Sequence, residues 1–212
     1  MSNQVLMILM RRVMDDMLRI ISGSLKGRSL KTLNGNNTRP TADRVKESLF
    51  NIIHSRLPGS TVLDLFAGTG NLGLEAISRG SNIAVFVEKD RKALAVLRDN
   101  CKALGCTENT VVMPMDVLRA IKCLQDKGFV FDIVFMDPPY DRDFELPVIM
   151  ALSESRIVRG DGIIIVEHMT TDDQPDTAGD FTRFDTRRYG NTSISFYRKE
   201  QSNESSSVPG EL

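Results

Sequence analysis

The sixteen residues TVLDLFAGTGNLGLEA, 61–76, decide how this chain is read. An apolar run, Val62-Leu63-Asp64-Leu65-Phe66, gives way to Gly68, Gly70 and Gly73 and then to a helix-forming segment that reaches Arg79. Strand, glycine turn and helix in that order form the opening unit of a doubly wound α/β sheet. The glycines allow a tight turn and a close approach of backbone to a ligand. The same rhythm continues downstream. NIAVFVEKD (82–90), TVVMPMD (110–116), FDIVFM (131–136) and GIIIVEHM (162–169) read as further strands. Between them, RKALAVLRDNCKALG (91–105), VLRAIKCLQDKG (117–128) and FELPVIMALSES (144–155) read as helices, the first with Ala93, Val96, Leu97 and Leu104 on one side. Alternation of this kind predicts a parallel sheet. FTRFDTRRYGNTSISFYRK (181–199) adds a closing antiparallel hairpin around Tyr189-Gly190-Asn191.

Gly68, Gly70 and Gly73 match G-x-G-x-x-G, and Glu88 follows at the end of the next strand. Taken mechanically, this is a dinucleotide fingerprint. Asp64, four residues before the first glycine, points elsewhere. A carboxylate there repels a pyrophosphate and suits a ligand that is cationic near the loop. S-adenosylmethionine carries an ammonium and a sulfonium and no phosphate. Glu88 then suits ribose hydroxyls. Asp116 and the adjoining Val117, at the next strand end, suit an adenine amine, with a helix-capping role for Asp116 as the alternative.

Asp137-Pro138-Pro139-Tyr140 follows the fourth strand. Proline cannot continue a central strand, so the chain leaves the sheet at its carboxyl edge. The stiff turn holds the Asp137 carboxylate and the Pro138 carbonyl as fixed acceptors, with Tyr140 as a stacking surface. That set suits a planar base with an exocyclic amine. Accepting both amine hydrogens aims the nitrogen lone pair at a methyl donor and stabilises charge growing on nitrogen.

VLDLFAGTGNLGLEA, FVEKD, MDV and FMDPPY together resemble the Rossmann-like methyltransferases that use S-adenosylmethionine to modify exocyclic amines of nucleic-acid bases. RIISGSLKGRSL (19–30), TRPTADRVKESLFNII (38–53) and RRYGNTSISFY (187–197) resemble a narrower group, the RsmD family of bacterial 16S ribosomal RNA guanine-N2 methyltransferases. The resemblance covers residues 19–198. It implies a seven-stranded, mostly parallel sheet with a terminal antiparallel hairpin and an N-terminal β-hairpin. It further implies Asp64, Ala67, Gly68, Gly70, Glu88, Asp116 and Val117 at the cofactor, and Asp137, Pro138, Pro139 and Tyr140 at the guanine amine. An adenine-N6 methyltransferase shares DPPY, but this chain is too short for a sizeable target-recognition insertion. A non-catalytic binding module would have no need of the intact tetrad.

The chain has 212 residues and a net charge of -1, which taken whole speaks against a nucleic-acid binder. The average conceals a split. Residues 17–60 hold eight Lys or Arg (Arg19, Lys26, Arg28, Lys31, Arg39, Arg44, Lys46, Arg56) against Asp43 and Glu47, a balance of +6. Lys26, Arg28, Arg39, Thr41 and Arg44 are therefore the candidates for RNA contact, and Tyr189 and Asn191 weaker ones. Thr41 or Asp43 is expected to cap a helix with Val45, Leu49, Ile52 and Ile53 on its apolar face. The expected organisation is an N-terminal extension (1–16, translation starting at Met14 or Met17), a hairpin-and-helix segment facing RNA (17–60), a methyltransferase domain (61–199) and a disordered tail (200–212). Cys101, Cys106 and Cys123 form no CxxC, and His54 and His168 fall at no metal-ligand spacing. The expectation is a monomer in the cytoplasm that acts on 16S rRNA within a small-subunit assembly particle, with neither metal nor membrane segment.

Overall fold

In a computed structural model, residues 18–33, 40–139 and 145–200 are described, with the backbone alone for residues 40–42. Eight strands of the described residues form one sheet: β1 (Thr61–Asp64), β2 (Ile83–Glu88), β3 (Thr110–Pro114), β4 (Phe131–Met136), β5 (Val158–Met169), β6 (Thr177–Ala178), β7 (Phe181–Tyr189) and β8 (Thr192–Lys199). Their order is β3-β2-β1-β4-β5-β8-β7-β6. Pairing is parallel from β3 through β5 and antiparallel from there to the β6 edge. The doubly wound parallel sheet with its closing hairpin is as the sequence predicts. The added strand is β6, two residues too short to register as a periodic pattern.

Among the described residues, five α-helices cover the sheet: α1 (Pro40–Ile52), α2 (Asn71–Ser78), α3 (Arg91–Leu104), α4 (Val117–Asp126) and α5 (Glu145–Ser155). The central strands are near-continuous apolar runs because helices bury both their faces. On one face Val45, Leu49, Phe50 and Ile53 of the α1 segment pack against Ile133, Phe135, Ile165 and Phe196. On the other, Ile121 and Leu124 of α4 and Val148 and Leu152 of α5 pack against Leu63, Val85, Val134 and Ile164. No described helix is long and apolar enough to cross a membrane.

Three local expectations are corrected. Helix α1 begins at Pro40, the position at which proline is best tolerated, so Thr41 and Asp43 lie inside its first turn and not at its cap. Ile52 is 41% exposed and Phe50 is buried; at about 100° per residue Ile52 lies roughly a quarter-turn from the middle of the buried face. On α3 the buried set is Ala93, Leu94, Leu97, Asn100, Cys101 and Leu104, with Val96 only half-buried.

The N-terminal hairpin is reduced to one bridge, Arg19 to Ser29. The backbone groups that would extend a ladder are used on α2 instead. Ile21 N and Ser22 N donate to the Glu75 carboxylate at 2.8 and 3.0 Å. Ser24 N donates to Ser78 O at 2.7 Å, and Leu25 N to Ser78 Oγ at 3.0 Å. The segment is thereby fastened to the sheet domain, and Ile20 and Leu30 join the core of Leu74, Phe86, Leu97 and Cys101.

Candidate active site

Each parallel strand delivers a residue to the carboxyl edge of the sheet, where ligands of open α/β folds bind. Asp64 ends β1, Glu88 ends β2, Asp116 follows β3, Asp137 follows β4 and Glu167 stands near the end of β5. A cavity of about 430 Å³ opens there. Apolar residues Leu65, Phe66, Val87, Met115, Val117, Leu118 and Val148 wall it, and Glu88, Lys89, Asp116, Asp137, Pro138 and Pro139 supply its polar and rigid parts.

The glycine loop runs beside this cavity, beyond Phe66. Gly70 has φ 92°, the left-handed region, and a Cβ there would stand 2.4 Å from Leu97 Cδ1. At Gly73 a Cβ would stand 2.3 Å from the Phe86 ring, so this glycine lets α2 lie close on β2. Glu88 holds the loop from the β2 side. One oxygen accepts from Gly68 N at 2.8 Å, and the other from Lys89 N and Asp90 N at 2.7 Å each. Asp116 both lines the cavity and caps α4, accepting from Leu118 N at 3.0 Å. The two readings of Asp116 are compatible.

Asp64 is 1% exposed and is not part of the cavity wall. It accepts from Gly73 N at 3.0 Å and so lies under the loop. Burial pushes its carboxyl up to about 7, against the Gly73 hydrogen bond and with the help of the Glu88 charge. Ala67 is buried in the core of Leu74 and Phe86. Asp64, Ala67, Gly68 and Gly70 therefore form the adjoining loop, whereas Glu88, Asp116 and Val117 face the cavity.

Pro138 is buried, while Asp137 and Pro139 are exposed at the cavity mouth. Asp137 meets solvent through that mouth but is otherwise enclosed by protein. Its pKa is raised well above the ordinary carboxylate value, first by this desolvation, then by the charges of Glu167 and Asp64. Pairing of Met136 with Val166 puts Asp137 level with Glu167 on the next strand. The sequence reading passed over Glu167, although an acid at the end of an apolar run is the same signal that singled out Asp64 and Glu88. Tyr140 lies outside the described residues.

The described N-terminal cations do not form one patch. Arg39 and the side chain of Thr41 lie outside the described residues. Lys26, Arg28 and Arg44 are exposed, and Arg28 donates to Ala103 O at 2.6 Å. Lys31 pairs with Asp99 at 2.8 Å and Arg19 with Asp43 at 3.7 Å. Arg56 donates to Asp161 O at 2.8 Å. Lys46 is buried and donates to Arg19 O and Asn71 Oδ1, both at 2.7 Å. Tyr189 is a brace, sharing a hydrogen bond with Ser48 Oγ of α1 at 2.6 Å. Asn191 accepts from Thr170 N through its backbone carbonyl at 2.8 Å. Two structural roles are not in the sequence reading: that of Lys46, counted there only as a cation, and that of Asn100. Both are polar residues on otherwise apolar helix faces, and that was the available signal.

Known proteins resemble this chain over most of its length. The YlbH protein of Bacillus subtilis is 40% identical over 86% of this chain and 99% of its own. Ribosomal RNA small subunit methyltransferase D of Haemophilus influenzae is 38% identical over 74% of this chain and 81% of its own. The solved structure of the yhhF protein of Escherichia coli superimposes with a TM-score of 0.76 at 31% identity, covering 86% of this chain and 97% of that one. The family described as conserved hypothetical protein 95 matches residues 18–198. The chain belongs to that family, the RsmD family of methyltransferases.

Proposed function

We propose that this protein transfers a methyl group from S-adenosyl-L-methionine to the exocyclic N2 amine of a guanine in 16S ribosomal RNA. The observation that carries the reading is the Asp137-Pro138-Pro139 turn at the mouth of the acid-edged cavity. The donor set fits the cofactor. Three acids, Asp64, Glu88 and Asp116, stand at three successive strand ends around apolar walls. Acids there favour an ammonium, ribose hydroxyls and an adenine amine, and disfavour a pyrophosphate. Glu88 and Asp116 would hold ribose and adenine in the cavity. Asp64, under the loop with Gly68 and Gly70, would favour the cationic end.

S-adenosylmethionine, when bound, supplies an electrophilic methyl group on a sulfonium sulfur. The protein's part is orientation. Ionised Asp137 and the Pro138 carbonyl accept the two amine hydrogens, which turns the nitrogen lone pair outward from the turn. As the nitrogen takes the methyl carbon from the sulfur, which would be left as a neutral thioether, it gains positive charge, and the nearby carboxylate stabilises that charge. The proton then leaves to Asp137 or to solvent, so no strong base is needed beforehand. Tyr140 would stack on the base. Asp137 must be ionised to accept, and its raised pKa makes activity fall on acidification nearer neutrality than for an ordinary carboxylate.

Exposed Lys26, Arg28 and Arg44, with Arg39 and Thr41, would take RNA phosphates on a segment 17–60 that faces the substrate. The protein would act as a monomer in the cytoplasm on an assembling small-subunit particle. Three free thiols accord with a reducing compartment. The named methyltransferase D relative supports a small-subunit rRNA substrate. The test is incubation with labelled S-adenosylmethionine and unmethylated small subunits, followed by nucleoside mass spectrometry. Label on guanine N2 is expected; label on adenine N6 alone overturns the reading.

A further inference from the structure

We infer that Asn100 and Lys46 are positioning residues that hold the tip of the glycine loop and tie it to the N-terminal segment. The inference rests on the reading of residues 68–71 as the cofactor cradle. Asn100 lies on α3 and is 2% exposed. Its Oδ1 accepts from Lys31 N at 2.9 Å. Its Nδ2 donates to Lys31 O at 3.1 Å and to Thr69 O at 2.9 Å. Lys46 lies on α1 and is 4% exposed. Its ammonium donates to Arg19 O and Asn71 Oδ1, both at 2.7 Å, and sits 3.4 Å from the Glu75 carboxylate.

Each side chain thus has one partner in the N-terminal segment and one in the loop. Thr69 and Asn71 flank Gly70, which has no side chain with which to anchor itself. Glu88, which lines the cavity, holds Gly68 N; Asn100 holds Thr69 and Lys46 holds Asn71, and neither of these two side chains lines the cavity. Both polar groups have their hydrogen bonds made, so either rearrangement leaves a buried donor or acceptor unpaired. The loop geometry and the docking of residues 18–33 are therefore linked. A ligand that displaces one is felt at the other, and by linkage the effect is reciprocal. The linkage also accounts for Asn71 in the loop, since its amide oxygen is the acceptor that Lys46 needs.

Calorimetric binding of S-adenosylhomocysteine tests this without relying on turnover. The comparison set is the parent, Asn100→Ala, Asn71→Ala and, as a control on the same segment, Asp99→Ala, which removes only the exposed pair with Lys31. Each loop variant should bind about tenfold more weakly, the worth of one buried hydrogen bond. Asp99→Ala should bind within about twofold of the parent on the same scale. Amide exchange at Gly68–Asn71 should quicken in the loop variants while that of β4 and β5 does not. Parent-like binding by both loop variants overturns the inference, as does an equal loss in Asp99→Ala. Should Asn100→Ala fail to fold, Asn71→Ala decides alone. No binding by the parent itself would instead refute the cofactor reading, so the two failures are distinguishable.

Discussion

Glu75, fully buried, and Asp137, exposed at the cavity mouth yet desolvated by the protein around it, are acids treated oppositely. Glu75 is 0% exposed and accepts from Ile21 N, Ser22 N and Arg79 Nε, with Lys46 3.4 Å away. Its charge is matched on every side. Asp137 is desolvated, and the nearby charges that act on it are those of two more acids, Glu167 and Asp64. On the proposed reading, the difference separates a carboxylate used for attachment from one that would meet a substrate. Desolvation without a countercharge is costly, and an incoming amine would compensate it.

The comparison can be broken at several points. Removal of Glu75 strands Lys46 and Arg79 beside each other, so Glu75→Ala should cost about 3–5 kcal/mol of stability, read by urea unfolding; a loss under about 1 kcal/mol would mean the attachment is not electrostatic. Asp137→Ala should reduce methyl transfer by about 10²–10³-fold and leave S-adenosylhomocysteine affinity unchanged. If transfer survives intact, this carboxylate does not hold the amine. Asp64 provides a pH test. Folded, it stays protonated up to about 7; unfolded, it ionises near about 4. Between those values the native state binds the extra proton, so this group's contribution to stability falls as pH rises. Asp64→Asn should therefore gain on the parent by on the order of 2 kcal/mol between pH 5 and pH 8. A constant difference would show that Asp64 is ionised throughout.

Glu167 sharpens the same contrast more gently. Its charge helps to hold the Asp137 pKa up, so Glu167→Gln should move the acidic limb of the kcat/KM profile to lower pH. An unmoved limb would remove Glu167 from the site. Smallest of all is Arg28→Ala, which should weaken RNA binding about uniformly and reduce its salt slope by about one. An unchanged slope would take Arg28 off the RNA surface.

Much of the fold was legible because period and punctuation agree over residues 61–199. Apolar strands, Asp90 as a cap accepting from Lys92 N and Ala93 N, and Gly105 at φ 68° mark the same boundaries. Asp64, Glu88, Asp116 and Asp137 were legible at their strand ends for the same reason, and Glu167 carried the same signal. The N-terminal segment was less so. Its residues are strand-like, but the partners of their backbone groups, Glu75 and Ser78, stand more than fifty positions away, where local pattern carries no information. Charge counting failed for a related reason. Lys46 and Lys31 contribute to the +6, but one is buried beneath α2 and the other paired, and neither fate is written in composition.

The fastening of residues 18–33 to α2 and α3 has a consequence for biosynthesis. Its hydrogen bonds span 53 to 75 positions, so this segment cannot settle until α3 has emerged from the ribosome. At about 5–20 residues per second the delay is on the order of several seconds. During that time Ile20 and Leu30 are uncovered and the cations around them belong to no surface. The basic segment can dock once α3 is made, whereas Asp116 and Asp137 of the cavity follow later in the chain, so the order of manufacture places the fastening of this segment ahead of the completed cavity.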